Sequence, residues 1–332
     1  MRRAAFLVLG ALPLVAPRAA RAQSDADPAS SSRRPALRVL LGTGDAASTS
    51  ADGFSFAGRT YRGTFARLEN GQIVNVVDLE EYLYSVVSRE MPPSWPLAAL
   101  EAQSICARTY VLARSDPRRE YDLVPSELDQ VYNGIAGETP SATAAVNSTA
   151  GQVLHYGANF AQVAYSSCCG GHTEASSDAW NGAPFPYLEG VACTYCSASP
   201  SYRWTTTLAF DTISSRFSTA LAPLGDLQDV RITDRDPSGR ARAFELVAQR
   251  GSTTVAGAAF RRGVGGRVLP SLLVTKIDRD AGAPGVVVSG GGLGHGVGLC
   301  QWGARGMALD NRSAADIVAF YFPGATLYAL NR

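Results

Sequence analysis

Apolar and polar positions follow a helical spacing between Val77 and Pro93, the most informative stretch of the chain. One stripe of apolar residues at spacings of i, i+3, i+4, i+7 and i+8 indicates a helix with a packed face: Leu79, Tyr82, Leu83, Val86 and Val87. Asp78 stands at the N-cap, and Glu81 three residues later completes a capping-box pattern. The helix is expected to end at Met91, because a residue before proline resists the α conformation.

Glu90 occupies the next position of the same stripe, i+11 from Leu79. At about 100° per residue its side chain points almost along that of Leu79, toward the packed side. Burial and the negative end of the helix both disfavour a charged carboxylate, so we expect a raised pKa and a group able to act as a general acid. The alternative is that the helix frays early and leaves Glu90 solvated in a loop.

A second helix, SWPLAALEAQSICARTYVLARS, is predicted to follow, with Pro96 suited to its first turn. Arg108 lies three residues after Ile105 and four before Leu112, so an arginine falls on an apolar row. Such an arginine either reaches into a cleft or pairs with a carboxylate. In the second case the expected partner is Glu101, one helical row away.

The remaining pattern mixes strands and helices. Short strands are predicted at Leu37–Leu41, Ile73–Val77, Val153–Leu154 and Gln162–Ser166. Apolar and polar residues alternate over residues 208–277, and turn signals interrupt the alternation. This pattern predicts a mostly β region with one helix at Thr212–Leu221. A last helix is expected from the cap at Ser313 to Tyr321. Because no regular βαβ rhythm appears, the predicted fold class is α+β.

The amino-terminal residues predict export. Residues 1–22 combine an Arg-Arg start, a short apolar run and an Ala-Arg-Ala cleavage site, as in a signal peptide, and residues 23–36 form a polar, flexible linker. An uncleaved anchor is the alternative. The 332-residue chain has 46% apolar residues and a net charge of +1, which argues against nucleic-acid binding, because little charge is available to neutralise phosphates. We therefore expect a periplasmic, extracellular or wall-associated protein without a membrane anchor after cleavage.

The cysteines form a pattern typical of a metal site. Cys169 and His172 are separated by two residues, as are Cys193 and Cys196, a spacing that suits tetrahedral zinc. Cys168 could replace its neighbour, and Cys300 is a further candidate. Disulfides, such as Cys169–Cys193 or Cys196–Cys300, are the rival interpretation in an oxidising compartment. Cys106 is interpreted as a small buried residue.

A glycine-rich block, SGGGLGHGVG, contains His295 and precedes Gln301. It lacks the lysine and hydroxyl residue that end a phosphate-binding loop. Its glycines allow a ligand to approach the backbone closely, and His295 with Gln301 could bind or orient that ligand. The alternative is that His295 satisfies carbonyl groups of its own loop.

Three ordered blocks resemble the SpoIID family (stage II sporulation protein D), also known as LytB or amidase enhancer. They are YLYSVVSREMPPSWPLAALEAQSICARTY, AGQVLHYGANFAQVAYSSCCGGHTEASSDAW followed by PYL, and GGGLGHGVGLCQWGARGMA followed by IVAFYFPGATL. The resemblance extends over roughly residues 37–330. It implies one SpoIID-like domain over residues 37–332, with residues 205–280 as a β-rich insertion or subdomain.

The resemblance implies a lytic transglycosylase that cleaves the β-1,4 bond between N-acetylmuramic acid and N-acetylglucosamine and leaves a 1,6-anhydro end. Strands stripped of stem peptides are the implied substrate, and a cell-wall amidase is the implied protein partner. The family's catalytic glutamate corresponds to Glu90. Candidate substrate-binding residues are Gln103, Arg108, Ser167, His295 and Gln301. Zinc at Cys169, His172, Cys193 and Cys196 would be structural and is not required for the chemistry.

Two other functions fit the same sequence. One is a wall-binding module without bond cleavage that stimulates an amidase, and the other is a structural envelope protein. An acidic residue on an apolar helix face favours the enzyme, because a binding groove has no need of it.

Overall fold

A computed structural model describes residues 36–50, 53–126, 128–180 and 182–330. The predicted signal peptide, and the predicted linker except Ala36, lie outside these residues. Among the residues so described, no helix combines the length and apolar character that a bilayer crossing requires.

The chain contains both helices and sheets, so the predicted α+β class is confirmed. The strands, in chain order, are β1 Leu37–Thr43, β2 Ala46–Ser50, β3 Gly53–Phe56, β4 Arg59–Arg62, β5 Thr64–Arg67, β6 Gln72–Val77, β7 Gln152–Tyr156, β8 Asn159–Phe160, β9 Tyr165–Ser166, β10 Trp204–Ala209, β11 Leu227–Arg235, β12 Ala241–Ala248, β13 Gly251–Ala256, β14 Val274–Arg279, β15 Gly285–Gly290, β16 Leu299–Cys300 and β17 Thr326–Ala329. The helices are α1 Leu79–Glu90, α2 Leu97–Arg114, α3 Pro140–Ser148, α4 Ser176–Trp180, α5 Phe210–Arg216, α6 Ser218–Leu221, α7 Gly257–Val264, α8 Gln301–Leu309 and α9 Ala314–Tyr321.

The contacts divide the chain into two compact units. One, the helical unit, comprises the described residues up to Ala164 together with Met307 onward. The other, the β-rich unit, is Tyr165–Gly306. The predicted β-rich insertion at 205–280 lies inside the second unit.

In the helical unit, three small antiparallel sheets support the helices, with strand orders β1-β6-β5, β2-β3-β4 and β17-β7-β8. Strand β6 leads directly into α1, because Asp78 follows Val77 and its carboxylate accepts hydrogen bonds from the N–H groups of Glu80 (2.8 Å) and Glu81 (3.4 Å). All five residues of the predicted apolar stripe are buried. Met91 is extended and ends the helix, as predicted from the two prolines.

Near the carboxyl end, α9 begins as the sequence predicts. Ser313 and Asp316 form a complete capping box. The following strand β17 pairs antiparallel with β7, with Leu327 opposite Leu154.

The β-rich unit contains the antiparallel sheets β11-β12-β13 and β10-β15-β14, and a short parallel pair, β9 with β16. Its core includes Phe244 and Phe260, whose ring centroids lie 4.4 Å apart. Two predictions are corrected by the structure. The expected helix at Thr212–Leu221 is two short helices, α5 and α6, separated at Phe217, and the expected strand at Gln162–Ser166 is reduced to β9.

Candidate functional site

Glu90 is the last residue of α1, and only 8% of it is exposed. The helix reaches this residue intact, so the alternative of an early frayed, solvated Glu90 is wrong. Two phenol groups interact with Glu90 electrostatically. Burial chiefly, with smaller contributions from Asp129 and Glu90, raises the pKa of both Tyr82 and Tyr110. A carboxyl group therefore lies at a helix end, largely removed from water and close to buried phenols.

The chain turns sharply directly after this acid. The N–H of Met91 donates to the Val87 carbonyl (3.0 Å), and the N–H of Trp95 donates to the Pro92 carbonyl (3.0 Å). The Ser141 hydroxyl of α3 donates to the Pro93 carbonyl (2.7 Å) and so fixes the turn. The half-buried indole of Trp95 lies on this turn, and the sequence pattern indicated no role for it.

Arg108 is completely buried and pairs with Glu80 of α1 rather than with Glu101. Its Nε lies 3.0 Å and 3.2 Å from the two carboxylate oxygens of Glu80, and its Nη2 lies 2.6 Å from one of them. A further bond runs from Nη1 to the Gln152 carbonyl (3.0 Å). Glu101 instead accepts a hydrogen bond from the Ser148 hydroxyl (2.6 Å). This geometry ties α2 to α1 and β7.

Gln103 is also buried on α2. The helical unit thus contains three of the predicted site residues on its first two helices: Glu90, Gln103 and Arg108.

Four buried cysteines lie together in the β-rich unit: Cys169, Cys193, Cys196 and Cys300, whose sulfur atoms are all within 4.8 Å of one another. The predicted ligand set is corrected at one position. His172 is not in this group, and its Nδ1 lies 2.7 Å from the Thr173 carbonyl. Cys300 takes the fourth place, although it is more than a hundred residues farther along the chain.

One sulfur–sulfur distance in the cluster is close to that expected around a tetrahedral zinc ion. Four sulfurs at about 2.3 Å from one zinc ion lie about 3.8 Å apart, and the Cys169 and Cys196 sulfurs are 3.6 Å apart. A covalent disulfide needs about 2.05 Å. The sulfur of Cys300 also accepts N–H groups from Cys169 (3.2 Å) and Gly303 (3.3 Å), whereas burial and the neighbouring cysteines raise the pKa of its thiol when no ion is bound. The donor set therefore fits zinc; the proximity of the four cysteines is also compatible with disulfides, although each is a free thiol in this structure.

The Cys168 thiol borders the same cluster. Hydrogen bonds with Cys196 and Cys300 lower its pKa. Cys106, by contrast, is buried in α2, and burial alone raises its pKa, which agrees with the predicted small buried residue.

His295 is tightly held in its loop. Its Nδ1 accepts a hydrogen bond from the N–H of Val297 (3.0 Å), and the imidazole is also hydrogen-bonded to the backbone of Tyr165. The centroid of its ring lies 5.5 Å from that of Trp180. Burial, together with the positive charges of two arginines, lowers the pKa of His295 to about 4. The imidazole is therefore neutral near pH 7, and its contacts favour the alternative in which it stabilises its own loop.

Ser167 and Gln301 lie in the same unit as His295. The carbonyl of Ser167 accepts the N–H of Trp302 (3.0 Å), and its side chain is half-buried. Gln301 is the first residue of α8, directly after Cys300, and is 4% exposed.

Arg240, on the turn between β11 and β12, is a buried residue that the sequence pattern did not single out. Its guanidinium is 1% exposed and donates to the carbonyls of His172 (Nη1, 3.0 Å) and Cys169 (Nη2, 2.8 Å). It also donates to the hydroxyl of Ser238 (2.8 Å). The turn signal at Asp236-Pro237 marked this position, but nothing in the pattern indicated that its arginine enters the protein.

Glu174 completes this buried network. Its Oε2 lies 3.4 Å from Nε of Arg240, and its N–H donates to the carbonyl of Gly296 (2.9 Å). Burial raises the pKa of Glu174 to about 8, against the opposing effect of Arg240. The network joins the cysteine segment at Cys169 to the glycine-rich loop that contains His295.

Comparisons with known proteins identify related chains. A family model described as "Stage II sporulation protein" (SpoIID) matches residues 68–156, and a "Domain of unknown function (DUF8618)" matches residues 194–298. An uncharacterized protein of Brachyspira hyodysenteriae is 31% identical over 289 residues, which cover 85% of this chain and 76% of that protein.

Two relatives have informative names. The "Amidase enhancer" of Bacillus subtilis is 29% identical over 294 residues, 74% of this chain and 40% of that protein. The "Stage II sporulation protein D" of Bacillus amyloliquefaciens is 28% identical over 278 residues, 79% of this chain and 77% of that protein.

Proposed function

This chain belongs to the SpoIID family and has a role related to the cell wall, and on that premise we propose that it is a lytic transglycosylase of peptidoglycan. Its substrate is the bond between N-acetylmuramic acid and N-acetylglucosamine in glycan strands without stem peptides. The observation that carries the proposal is the burial of Glu90 at the end of α1.

The reaction needs one protein carboxyl group. Glu90 donates its proton to the glycosidic oxygen as the bond to the muramoyl anomeric carbon breaks. The carboxylate then removes the proton of the muramoyl C6 hydroxyl, whose oxygen bonds to the anomeric carbon and forms the 1,6-anhydro ring. Glu90 ends protonated, and no water is consumed. Because the nucleophile belongs to the substrate, the second carboxylate of a hydrolase is unnecessary.

Other residues support this acid. Arg108 is a positioning residue, since its bonds to Glu80 hold α1 against α2. Trp95 lies on the turn that follows Glu90, and Gln103 is buried on α2; we assign both to the glycan site. Within the β-rich unit, Ser167 and Gln301 are proposed to bind glycan, whereas His295 is assigned to stabilising its own loop, as its contacts favour.

We assign a structural zinc ion to Cys169, Cys193, Cys196 and Cys300. Four sulfur ligands would close the coordination sphere, so the ion would hold the segments together and leave no position for a reacting water. Disulfide pairing among the same residues is the competing chemistry.

The first 22 residues are proposed to direct export, which would bring the enzyme to its substrate. A second candidate function is supported by the name of one relative, "Amidase enhancer". In that case the chain binds the wall and stimulates an amidase without cleaving glycan.

Product analysis of purified, peptide-free glycan strands tests the proposal. The wild-type protein should give 1,6-anhydro ends by mass spectrometry, and Glu90→Gln should give none while its melting temperature stays close to that of wild type. Glu101→Gln is the matched control, because this glutamate is also on the α1–α2 pair but bonds to Ser148. Reducing ends would identify a hydrolase. Intact strands that both proteins still bind would support the non-catalytic module.

A further inference from the structure

Arg89 differs from the other arginines of the helical unit. It is exposed, and it directly precedes Glu90 on α1. In the described part of this unit, each other arginine has a carboxylate, amide, carbonyl or aromatic partner: Arg38 with Asp122, Arg59 with Asn133, Arg62 with Glu138, Arg67 with Gly71, Arg108 with Glu80, Arg114 with Tyr110, Arg118 with Asp116, Arg119 with Tyr121 and Arg312 with Asp316. No such partner occurs for Arg89 among the described residues.

A cation in the last turn of a helix complements the helix dipole, typically by about 0.3–1 kcal/mol. That effect explains a positive residue near the end of α1, but it does not require a guanidinium next to the acid. Consecutive Cα atoms are about 3.8 Å apart, so the long side chain of Arg89 starts beside the backbone of Glu90 and extends into solvent. Because successive helix residues point about 100° apart, the two side chains do not face each other, and a ligand bound at Glu90 would contact this charge only if it extended across the end of α1.

The substrate class supplies a matching anion, and this step rests on the proposed function. Each muramoyl residue carries a lactyl group on C3. While a stem peptide is attached, the lactyl carboxyl is an uncharged amide. Once the peptide has been hydrolysed away, it is a free carboxylate, so a stripped strand has one negative charge on every second sugar.

We propose that Arg89 binds the lactyl carboxylate of the muramoyl residue that Glu90 attacks. A guanidinium can hold a carboxylate with two parallel hydrogen bonds, which fixes orientation as well as adding affinity. Arg89 is then a specificity-determining residue for strands without peptides. The class of reaction that must precede this one is hydrolysis of the amide between the lactyl group and the peptide.

Binding to a form of the protein that does not turn over tests this inference. In a Glu90→Gln background, Arg89→Gln should weaken binding of peptide-free strands about tenfold, as expected for the loss of one charge-assisted pair, and should reduce the salt dependence of binding. Strands whose lactyl carboxylates have been converted chemically to amides should bind both proteins equally. Arg118→Gln is the control, since this exposed arginine already pairs with Asp116.

A kinetic measurement separates this inference from the proposed function. In the otherwise wild-type protein, Arg89→Gln should raise KM for stripped strands with little change in kcat. Unchanged affinity, or equal losses on carboxylate and amide strands, would overturn the role of Arg89 even if wild type produces 1,6-anhydro ends. If wild type cleaves nothing but carboxylate-dependent binding still requires Arg89, the inference stands for a binding module and the proposed enzyme fails.

Discussion

At the scale of single residues, the buried pair of Glu80 and Arg108 gives the clearest prediction. Arg108→Met should lower the free energy of unfolding by about 3–5 kcal/mol, because the carboxylate of Glu80 stays in a buried place after its cation is removed. Urea denaturation followed by circular dichroism measures this loss. The double variant Glu80→Met/Arg108→Met should recover part of it.

Arg118→Met provides the comparison. Because the Arg118–Asp116 pair is exposed, the midpoint of urea denaturation should not change in this variant. An equally stable Arg108→Met protein would mean that this arginine does not support α1. In that event its proposed role at the glycan site would need a different basis.

His295 makes stability depend on pH. An unfolded histidine titrates near 6.5, whereas the pKa of His295 in the fold is about 4. Between these values the unfolded chain binds a proton that the folded chain does not, so the stabilisation is complete above pH 6.5 and is lost as pH falls toward 4.

We therefore expect His295→Gln to flatten the pH dependence of the free energy of unfolding between pH 4 and 6.5. Imidazole NMR signals of wild type should show His295 neutral at pH 6. A titration midpoint of the His295 imidazole near pH 6.5 in the folded protein would contradict the argument that burial lowers its pKa.

The sequence predicted the position of Glu90 because helical periodicity is local, and Glu90 is only eleven residues from the start of its stripe. The partner of Arg108 could not be found in this way. Glu80 is on a different helix, 28 residues earlier, whereas helical spacing points only to neighbours on the same helix, such as Glu101. His172 was placed in the metal set by its spacing from Cys169, whereas the fold brings in Cys300 from a distant segment.

At the scale of elements, the caps were the most reliable signals. Asp78 and Ser313 begin α1 and α9 where the sequence predicts them, because each bond involves atoms within three residues. The sequence pattern did not predict the interruption of the helix at Phe217, and packing in the core of the β-rich unit explains why. The Phe217 ring stacks on Phe260 at 5.7 Å, so tertiary packing fixes its place.

The glycine-rich loop gives a prediction about an element. Gly296 has a positive φ of 85°, and an added Cβ would collide with the buried guanidinium of Arg240. Gly296→Ala should thus combine backbone strain of about 1–2 kcal/mol with an overpacking cost of about 1–3 kcal/mol. Thermal unfolding measured by calorimetry should show the loss.

Gly157→Ala separates the two contributions. This glycine has a φ of 61° but no atom within 4 Å of an added Cβ, so only the backbone strain applies. If both variants lose the same stability, Arg240 does not pack against the loop as the structure shows. Restored stability in a Gly296→Ala/Arg240→Ala double variant would locate the collision at this pair.

At the scale of the whole molecule, the sequence predicted strands, helices and their class, but not where the chain divides. The helical unit takes its last strand, β17, from residues 326–329 and pairs it with β7, more than 160 residues earlier. A local sequence pattern does not show that a distant segment pairs with a strand formed much earlier in the chain. The predicted β-rich insertion at 205–280 stays a prediction; it lies inside the compact unit Tyr165–Gly306, in which strand β15 continues the β structure beyond residue 280.

The cysteine cluster links the chemistry of single residues to the stability of a complete unit. Protein purified with reduced thiols should contain one zinc ion per chain by elemental analysis. A chelator should lower the unfolding temperature of the β-rich unit, because an ion bound by four cysteines from different segments stabilises only the folded form. Cys300→Ser should lose the ion and the stabilisation, whereas His172→Ala and Cys106→Ala should keep both. Retention of zinc by Cys300→Ser together with its loss from His172→Ala would restore the ligand set expected from spacing. A protein without metal and with two disulfides mapped by mass spectrometry would replace the zinc site with covalent bonds.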